Sequence, residues 1–332
     1  LASDQSEATR LGRLLDRMEY YYDTYEYVDD DPNEPPTFNT VSILDTDILD
    51  TDDIVAVERF AFCSNAYGVA ACVEGGDKVV RGVLDSVGST LPVGSSHGVT
   101  GHGTFWDLYG SSGEPETITW NEDGRPDAES AGFLIESGDG SGDLYYYDSS
   151  QESISALDMY KSALRANKVD IITIGYLNNL YDLLTDPEGL ELVRANLNAV
   201  YVTGGSLKGL GDCNFDTSAE LLKMSIYVTD TLRDLGIYTV YLTGDLGGVM
   251  NTPPFDAKCA QAFATVARDS TPSWDVFSVW TYVNRANNPH VSIVRSALFI
   301  KPDSSNVFVD GADCNAYRVV KLSPDEVIRR LL

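Results

Sequence analysis

The chain is poor in basic residues, in histidine and in sulfur. Of its 332 residues only 23 are Lys or Arg, against 51 Asp and Glu, and the formal charge is −28. The acids are spread along the chain rather than gathered in one tail, so the sequence lacks the basic face that a nucleic-acid polymer requires. Five cysteines, Cys63, Cys72, Cys213, Cys259 and Cys314, are too few and too scattered for a disulfide scaffold, and no C-x-x-C pair is present for zinc. The odd count leaves at least one thiol unpaired. A Cys63–Cys72 bridge would need an oxidising compartment, and buried free thiols are the equal alternative. No run of 18 apolar residues occurs, so no membrane span is expected. An initiator methionine is also missing; the opening Leu1-Ala2-Ser3 is compatible with signal-peptide removal or with trimming. Together with the diffuse acidic surface this points to a secreted, extracellular or salty setting, with the cytoplasm left open.

What is present is ample for a core: 43% of residues are hydrophobic. Residues 1–38 read as an appendage to one domain covering 39–332. Glu7 to Tyr27 forms a helical pattern with Leu11, Leu14, Leu15 and Met18 on one face, and an acidic proline-containing linker, Asp29 to Pro36, follows. Tyrosines at 20, 21, 22, 25 and 27 exceed what a solvated helix needs. The arm is therefore expected to pack on its own domain or on a neighbouring subunit, which would make a homo-oligomer.

From Thr40 onward apolar runs alternate with amphipathic segments. The runs Val41–Leu44, Val169–Ile174, Ala199–Val202 and Tyr238–Leu242 are continuous and rich in β-branched residues, as strands covered on both faces must be. Helical patterns fall near 53–63, 150–166, 217–235, 255–268 and 273–286, and Ser323-Pro324 opens a last one. The alternation predicts an α/β fold: an open, mostly parallel, Rossmann-like sheet with helices on both faces. Sites in such sheets lie at the carboxyl ends of the strands. There the sequence has Asp45-Thr-Asp47, Gly175 to Asn179, Thr203-Gly-Gly205 and Thr243-Gly-Asp245.

The densest of these is the first. Asp45, Asp47, Asp50, Asp52 and Asp53 fall within nine positions on a strand-to-helix turn, separated by Ile and Leu rather than by the Gly, Ser or Lys of a solvated acidic loop. Carboxylates so crowded repel one another unless a cation neutralises them, and hard oxygen ligands suit Ca²⁺, with Mg²⁺ second. Residues 94–148 are a Gly/Ser/Asp-rich stretch without periodicity that contains His97, His102, Trp106, Tyr109 and Trp120, and they read as a lid or pocket wall rather than a bare loop.

Asp45-Thr-Asp47 followed by Asp52-Asp53 resembles the amino-terminal signature of the inosine–uridine-preferring nucleoside hydrolases. Further stretches arrive in that family's order: Leu91-Pro-Val-Gly94 with His97 to Gly103, Ile174 to Leu180, Val202-Thr-Gly-Gly205, and Ser273-Trp-Asp275. The resemblance covers about residues 40–280. It implies hydrolysis of the N-glycosidic bond of a ribonucleoside to free base and ribose with bound Ca²⁺, a role in purine or pyrimidine salvage. Carried over residue by residue, the metal ligands are Asp47, Asp53, Asp275 and the carbonyl of Ile174. Asp47 doubles as the base that activates water, and Asp52 holds a ribose hydroxyl with Asn65, Asp212, Asn214 and Asp275. Two registers stay open, Asp50 in place of Asp47 and Glu220 in place of Asp212. Trp274 stands where many members have a histidine that protonates the leaving base, so the proton would come from elsewhere, for example His97 or His102.

Two rival readings remain at this level. A haloacid-dehalogenase-type phosphatase also begins with a strand ending in D-x-D, with Asp45 as nucleophile, Asp47 as acid, Lys208 on phosphate and Asp245 on Mg²⁺. Alternatively the scaffold is a metal-binding structural or binding module without catalysis, which the missing histidine and the tyrosine-rich arm both allow.

Overall fold

The computed structural model describes residues 40–99, 135–136, 145–146, 152–247, 251–252, 259, 270–285, 291–310 and 316–322. The amino-terminal arm, His102, Cys314, the pattern at 255–268 apart from Cys259, and the final helix at 323 lie outside them, as does most of the 94–148 stretch.

In chain order the elements begin with β1 Thr40–Thr46, α1 Thr51–Ala61, β2 Ala66–Ala71, α2 Gly76–Ser86 and β3 Val93–Ser95. There follow β4 Ile135–Glu136, β5 Tyr145–Tyr146, β6 Ile154–Ser155, α3 Ala156–Ala166, β7 Lys168–Thr173, α4 Asn178–Thr185 and α5 Pro187–Asn196. Next come β8 Leu197–Thr203, α6 Cys213–Asp216, α7 Ala219–Leu235, β9 Tyr238–Leu242 and α8 Gly244–Gly247. The last are β10 Asn251–Thr252, β11 Thr271–Pro272, α9 Trp274–Val283, β12 Val291–Ile300, β13 Asn306–Asp310 and β14 Ala316–Leu322.

Ten strands form the main sheet in the order β13-β12-β14-β9-β8-β7-β1-β2-β3-β6. Every pairing from β14 to β6 is parallel. The antiparallel pairs β14–β12 and β12–β13 finish one edge. The mostly parallel α/β fold expected from the sequence is thus the one observed.

Strand periodicity assigns the two faces. Leu44, Ile172, Tyr201 and Val240 point to a cluster with α1, α2 and α9 through Ile54, Phe60, Val80, Phe277 and Trp280. Their neighbours Ile43, Ile171, Val200 and Tyr241 point to the opposite cluster, with α3, α4, α5 and α7 through Tyr160, Leu183, Val193 and Val228. Each strand residue is buried whichever way it points, which is why these runs are apolar without alternation. Burial of each such Leu, Ile or Phe contributes about 1.5–3 kcal/mol.

The topology also selects where a site can form. From β1 the chain moves outward through β2, β3 and β6, then returns to β7 on the other side of β1 and proceeds through β8 and β9. The direction of winding reverses between β1 and β7, and a crevice opens beyond the carboxyl ends of strands at such a reversal.

Candidate functional site

The turn after β1 is built around Asp53. Its Oδ1 accepts the Thr46 hydroxyl at 2.6 Å, and its Oδ2 accepts the backbone N–H groups of Leu49 and Asp50 at 3.0 and 2.9 Å. This closes the turn and caps α1, whose N-terminal end favours negative charge. The turn holds Ile48 at φ 52°, the left-handed region that a β-branched residue rarely enters. Strain of that kind costs about 1–3 kcal/mol and persists where surrounding contacts over-determine it.

The acids then converge on a residue more than two hundred positions away. The backbone N–H of Asp275, in the first turn of α9, donates to Asp52 Oδ2 at 3.1 Å. One carboxylate oxygen from each of Asp52, Asp53 and Asp275 lies within 4.8 Å of the other two. The three residues are 0%, 1% and 7% exposed. Asp47 is buried beside them and interacts with Asp53.

Burial first, then the neighbouring carboxylates, push Asp47, Asp52 and Asp275 well above the ordinary carboxylate range. Asp53 rises to about 6, chiefly through burial, with the Thr46 hydrogen bond opposing. Such a cluster resists full ionisation by itself.

A divalent cation fits these residues. Oxygens up to 4.8 Å apart match opposed ligands of an ion at about 2.4 Å, within the range for Ca²⁺. Asp52 Oδ1, buried in this group, has no hydrogen-bond partner and so keeps a lone pair for coordination. Ile174, a ligand expected through its carbonyl, is buried next to the turn; its N–H donates to Asp45 O at 2.7 Å. Gly175 follows and packs so tightly that a Cβ there would lie 2.4 Å from the Asp47 nitrogen.

The remaining expected residues divide into two groups. Asp212, the N-cap of α6, accepts from the Asn214 and Gly205 N–H groups at 3.0 and 2.9 Å, and burial lifts its carboxyl to about 6. Asn214 Nδ2 donates to Thr203 O at 3.0 Å. Trp274 Nε1 donates to Gly244 O at 3.1 Å, and a Cβ built at Gly244 would lie 3.9 Å from both Asp212 Oδ2 and Trp274 Nε1. These three therefore share the carboxyl side of the sheet with the acid turn. His97, exposed just beyond β3, is on that side too.

Asn65 is not. It precedes β2, at the amino end, where its Nδ2 donates to Thr40 O at 3.3 Å and Tyr282 Oη at 2.8 Å. The substrate contact expected of Asn65 is thus corrected: the residue braces the opposite edge of the sheet. Of the two alternatives left open for Cys63 and Cys72, free thiols are the one observed, and the two residues flank β2 at its two ends. Of the open registers, Asp50 is the N-cap residue of α1, and Glu220 is exposed in the first turn of α7.

The phosphatase alternative fails on Asp45. That carboxylate is 0% exposed, and its oxygens are taken by the Tyr160 hydroxyl at 2.5 Å and Asn179 Nδ2 at 3.1 Å. Burial raises it to about 7 despite both hydrogen bonds. A buried, doubly held acid cannot attack a phosphorus centre, and Lys208 is paired with Asp245 at 3.1 Å.

Glu74, for which the sequence carries no expectation, and Asn178, expected only as part of the turn Gly175 to Asn179, also lie here. Glu74 follows the carboxyl end of β2, its N–H donating to Val99 O at 2.9 Å. Asn178 Nδ2 ties Cys72 O to Ser96 Oγ at 2.9 and 3.0 Å. The signal that could have found both is position alone: each follows a parallel strand at its carboxyl end.

No protein-family model and no curated protein matches the sequence. The fold does match solved structures. A plant nucleoside hydrolase superposes with a TM-score of 0.64 at 13% identity, over 89% of this chain and 98% of that one. An inosine–guanosine nucleoside hydrolase gives 0.61 at 12%, over 88% and 97%. The type III effector protein XopQ, solved with adenosine diphosphate ribose, gives 0.57 at 11%, over 98% and 97%. Identities this low establish the fold, which is nucleoside-hydrolase-like.

Proposed function

We propose that the protein hydrolyses the N-glycosidic bond of ribonucleosides, with a divalent cation, Ca²⁺ foremost, held by Asp53, Asp275 and Asp52. The observation that carries this reading is the buried convergence of those three carboxylates at the reversal of the sheet. The family resemblance adds Asp47 and the Ile174 carbonyl to Asp53 and Asp275, while Asp52, expected on a ribose hydroxyl, joins the set on its position in the cluster. Bound there, a divalent cation supplies positive charge that acidifies a water and orients sugar hydroxyls.

The chain's own groups account for the rest. Cleavage of the C1′–N bond leaves positive charge on the sugar, and Asp52 and Asp275 stabilise it from a site nearly closed to water. Asp47, with a pKa lifted by burial and by Asp53, takes the proton of the attacking water. Asp212 and Asn214 are pre-oriented by backbone hydrogen bonds to receive ribose hydroxyls. The Trp274 N–H is committed to Gly244 O, so the indole is a wall, and His97 is the described residue offered as proton donor to the leaving base.

The test is incubation with a nucleoside panel and Ca²⁺, reading free base and reducing sugar. Base release that is lost on chelation and in Asp53→Ala supports the proposal; inertness on every nucleoside refutes it. The likeness to an effector solved with adenosine diphosphate ribose favours a second reading, a non-catalytic binding module. Saturable binding of that ligand by a protein inert on nucleosides would select it.

A further inference from the structure

The segment from Ile174 to Asn179, which joins β7 to α4, is fastened to β1 at both of its ends through one residue. At the near end the Ile174 N–H donates to the Asp45 carbonyl oxygen at 2.7 Å. At the far end Asn179, 2% exposed in the first turn of α4, donates through Nδ2 to Asp45 Oδ1 and to Ala71 O, each at 3.1 Å. The middle is pressed onto the next acid, since a Cβ built at Gly175 would lie 2.4 Å from the Asp47 nitrogen.

This leaves the Ile174–Gly175 peptide little room to move. A peptide unit is planar, so its carbonyl is restricted once the atoms on either side are held. Ile174 is 1% exposed, and among the described residues no backbone N–H donates to its carbonyl. A buried carbonyl without a donor calls for another partner, and a cation is one. Asp45 is a firm anchor for the segment, because it is fully buried and its Oδ2 takes the Tyr160 hydroxyl of α3 at 2.5 Å. Asn179 holds the other oxygen of that carboxylate.

We infer that Asn179 is a positioning residue for the metal centre: acting through Asp45, it holds the Ile174–Gly175 peptide against the acid turn. Affinity for the ion then depends on a side chain bonded to Asp45 and Ala71 rather than to the ion. The inference rests on the cation-dependent reading above and deepens it. Groups that orient metal ligands in this way carry about tenfold to a hundredfold of the affinity. Asn178, its neighbour in the chain, bonds Cys72 O and Ser96 Oγ instead, and so fastens the same segment to β2 and to the residue after β3.

The experiment measures the Ca²⁺ dissociation constant of the full chain by calorimetry, well below its melting temperature, with melts in EDTA alongside. The wild type is compared with Asn179→Ala, Tyr160→Phe and Arg285→Met. Tyr160→Phe loosens the same Asp45 carboxylate by the loss of one hydroxyl. Arg285→Met weakens the opposite end of the sheet, where the guanidinium lies 3.6 Å from Asp170. Ca²⁺ binding is expected to be about tenfold or more weaker in Asn179→Ala, weaker to a smaller extent in Tyr160→Phe, and unchanged in Arg285→Met. A purely structural role for Asn179 would lower the melts and leave the dissociation constant at its wild-type value, and that result overturns the inference while hydrolysis stands. An equal loss of affinity in Arg285→Met overturns it too. Where Asn179→Ala does not fold, Tyr160→Phe decides by the same reading. The expected ranking in a protein that releases no base from any nucleoside supports the positioning role and removes the hydrolase. A wild type that binds no Ca²⁺ overturns both.

Discussion

Replacing Asp275 by Asn should stabilise the metal-free protein and abolish its response to Ca²⁺. In the native chain Asp275 faces Asp52 and Asp53 with oxygens within 4.8 Å. Two unit charges at that distance and an effective dielectric constant near 20 repel by about 3.5 kcal/mol, so the two pairs involving Asp275 carry up to about 7 kcal/mol when all are ionised. Proton uptake relieves part of this, because burial and the neighbouring acids hold Asp275 well above its ordinary range. A net gain of roughly 3 kcal/mol in the metal-free variant is the expectation at neutral pH. For 332 residues the entropy of unfolding converts 1 kcal/mol into about 1.4 °C, so the rise is about 4 °C. Ca²⁺ at a hundred times its dissociation constant adds about 2.7 kcal/mol to the native chain, a similar rise, and adds nothing to the variant. Thermal melts in EDTA and in Ca²⁺ should therefore show the variant above the native protein without metal, and the difference closing once metal is present. A metal-free variant that melts below the native chain, or equal Ca²⁺ shifts in both, would refute the electrostatic reasoning.

Other predictions follow from the same interior. Asp53 and Asp45 have folded pKa values raised to about 6 and about 7 from 3.8, so their contribution to stability is full below 3.8 and lost as pH rises through 6–7. Melts in EDTA should therefore be higher at pH 5 than at pH 8, while the Ca²⁺ increment grows over that window as the ligands lose protons. Gly175→Ala places a Cβ 2.4 Å from the Asp47 nitrogen and 2.8 Å from Cys72 Sγ; calorimetry should show weaker Ca²⁺ binding, with about 1–3 kcal/mol of overpacking in stability. Arg285→Met tests the other end of the sheet. Its guanidinium lies 3.6 Å from the 1%-exposed Asp170 and 3.9 Å above the Tyr282 ring, so denaturant unfolding should show a loss of about 3–5 kcal/mol with the Ca²⁺ increment unchanged.

The contrast between those two ends explains what the sequence made legible. β1, β7, β8 and β9 were readable because strands buried on both faces must be apolar throughout, and α7 because its stripe runs over 17 residues. β2, Ala66-Tyr-Gly-Val-Ala-Ala71, was missed: Gly68 and the alanines are small because Met159 and Pro92 crowd it, and small residues carry little hydrophobic signal. The antiparallel strands β12 and β13 were missed for a different reason. Exposed Ile293, Phe299 and Val309 and buried Ser296 and Asn306 break the alternation on which a half-buried strand is recognised.

The same logic governs the site. Asp52 and Asp53 were visible because acids spaced by Ile and Leu violate the pattern of a solvated loop, and Asp275 because it recurs in a family order. Asn65 was misplaced because composition does not say at which end of a strand a polar residue falls; only the parallel register of Ser42 with Ala66 puts it at the amino end. Asn178 was legible only as part of the turn Gly175 to Asn179, because its link between Cys72 O and Ser96 Oγ is a property of packing, not of spacing. Charge crowding is written locally along the chain, whereas that link exists only once Cys72 and Ser96 have reached the amide. Contacts made by packing therefore emerge only after folding, whereas the crowded carboxylates of the acid turn announce themselves before it.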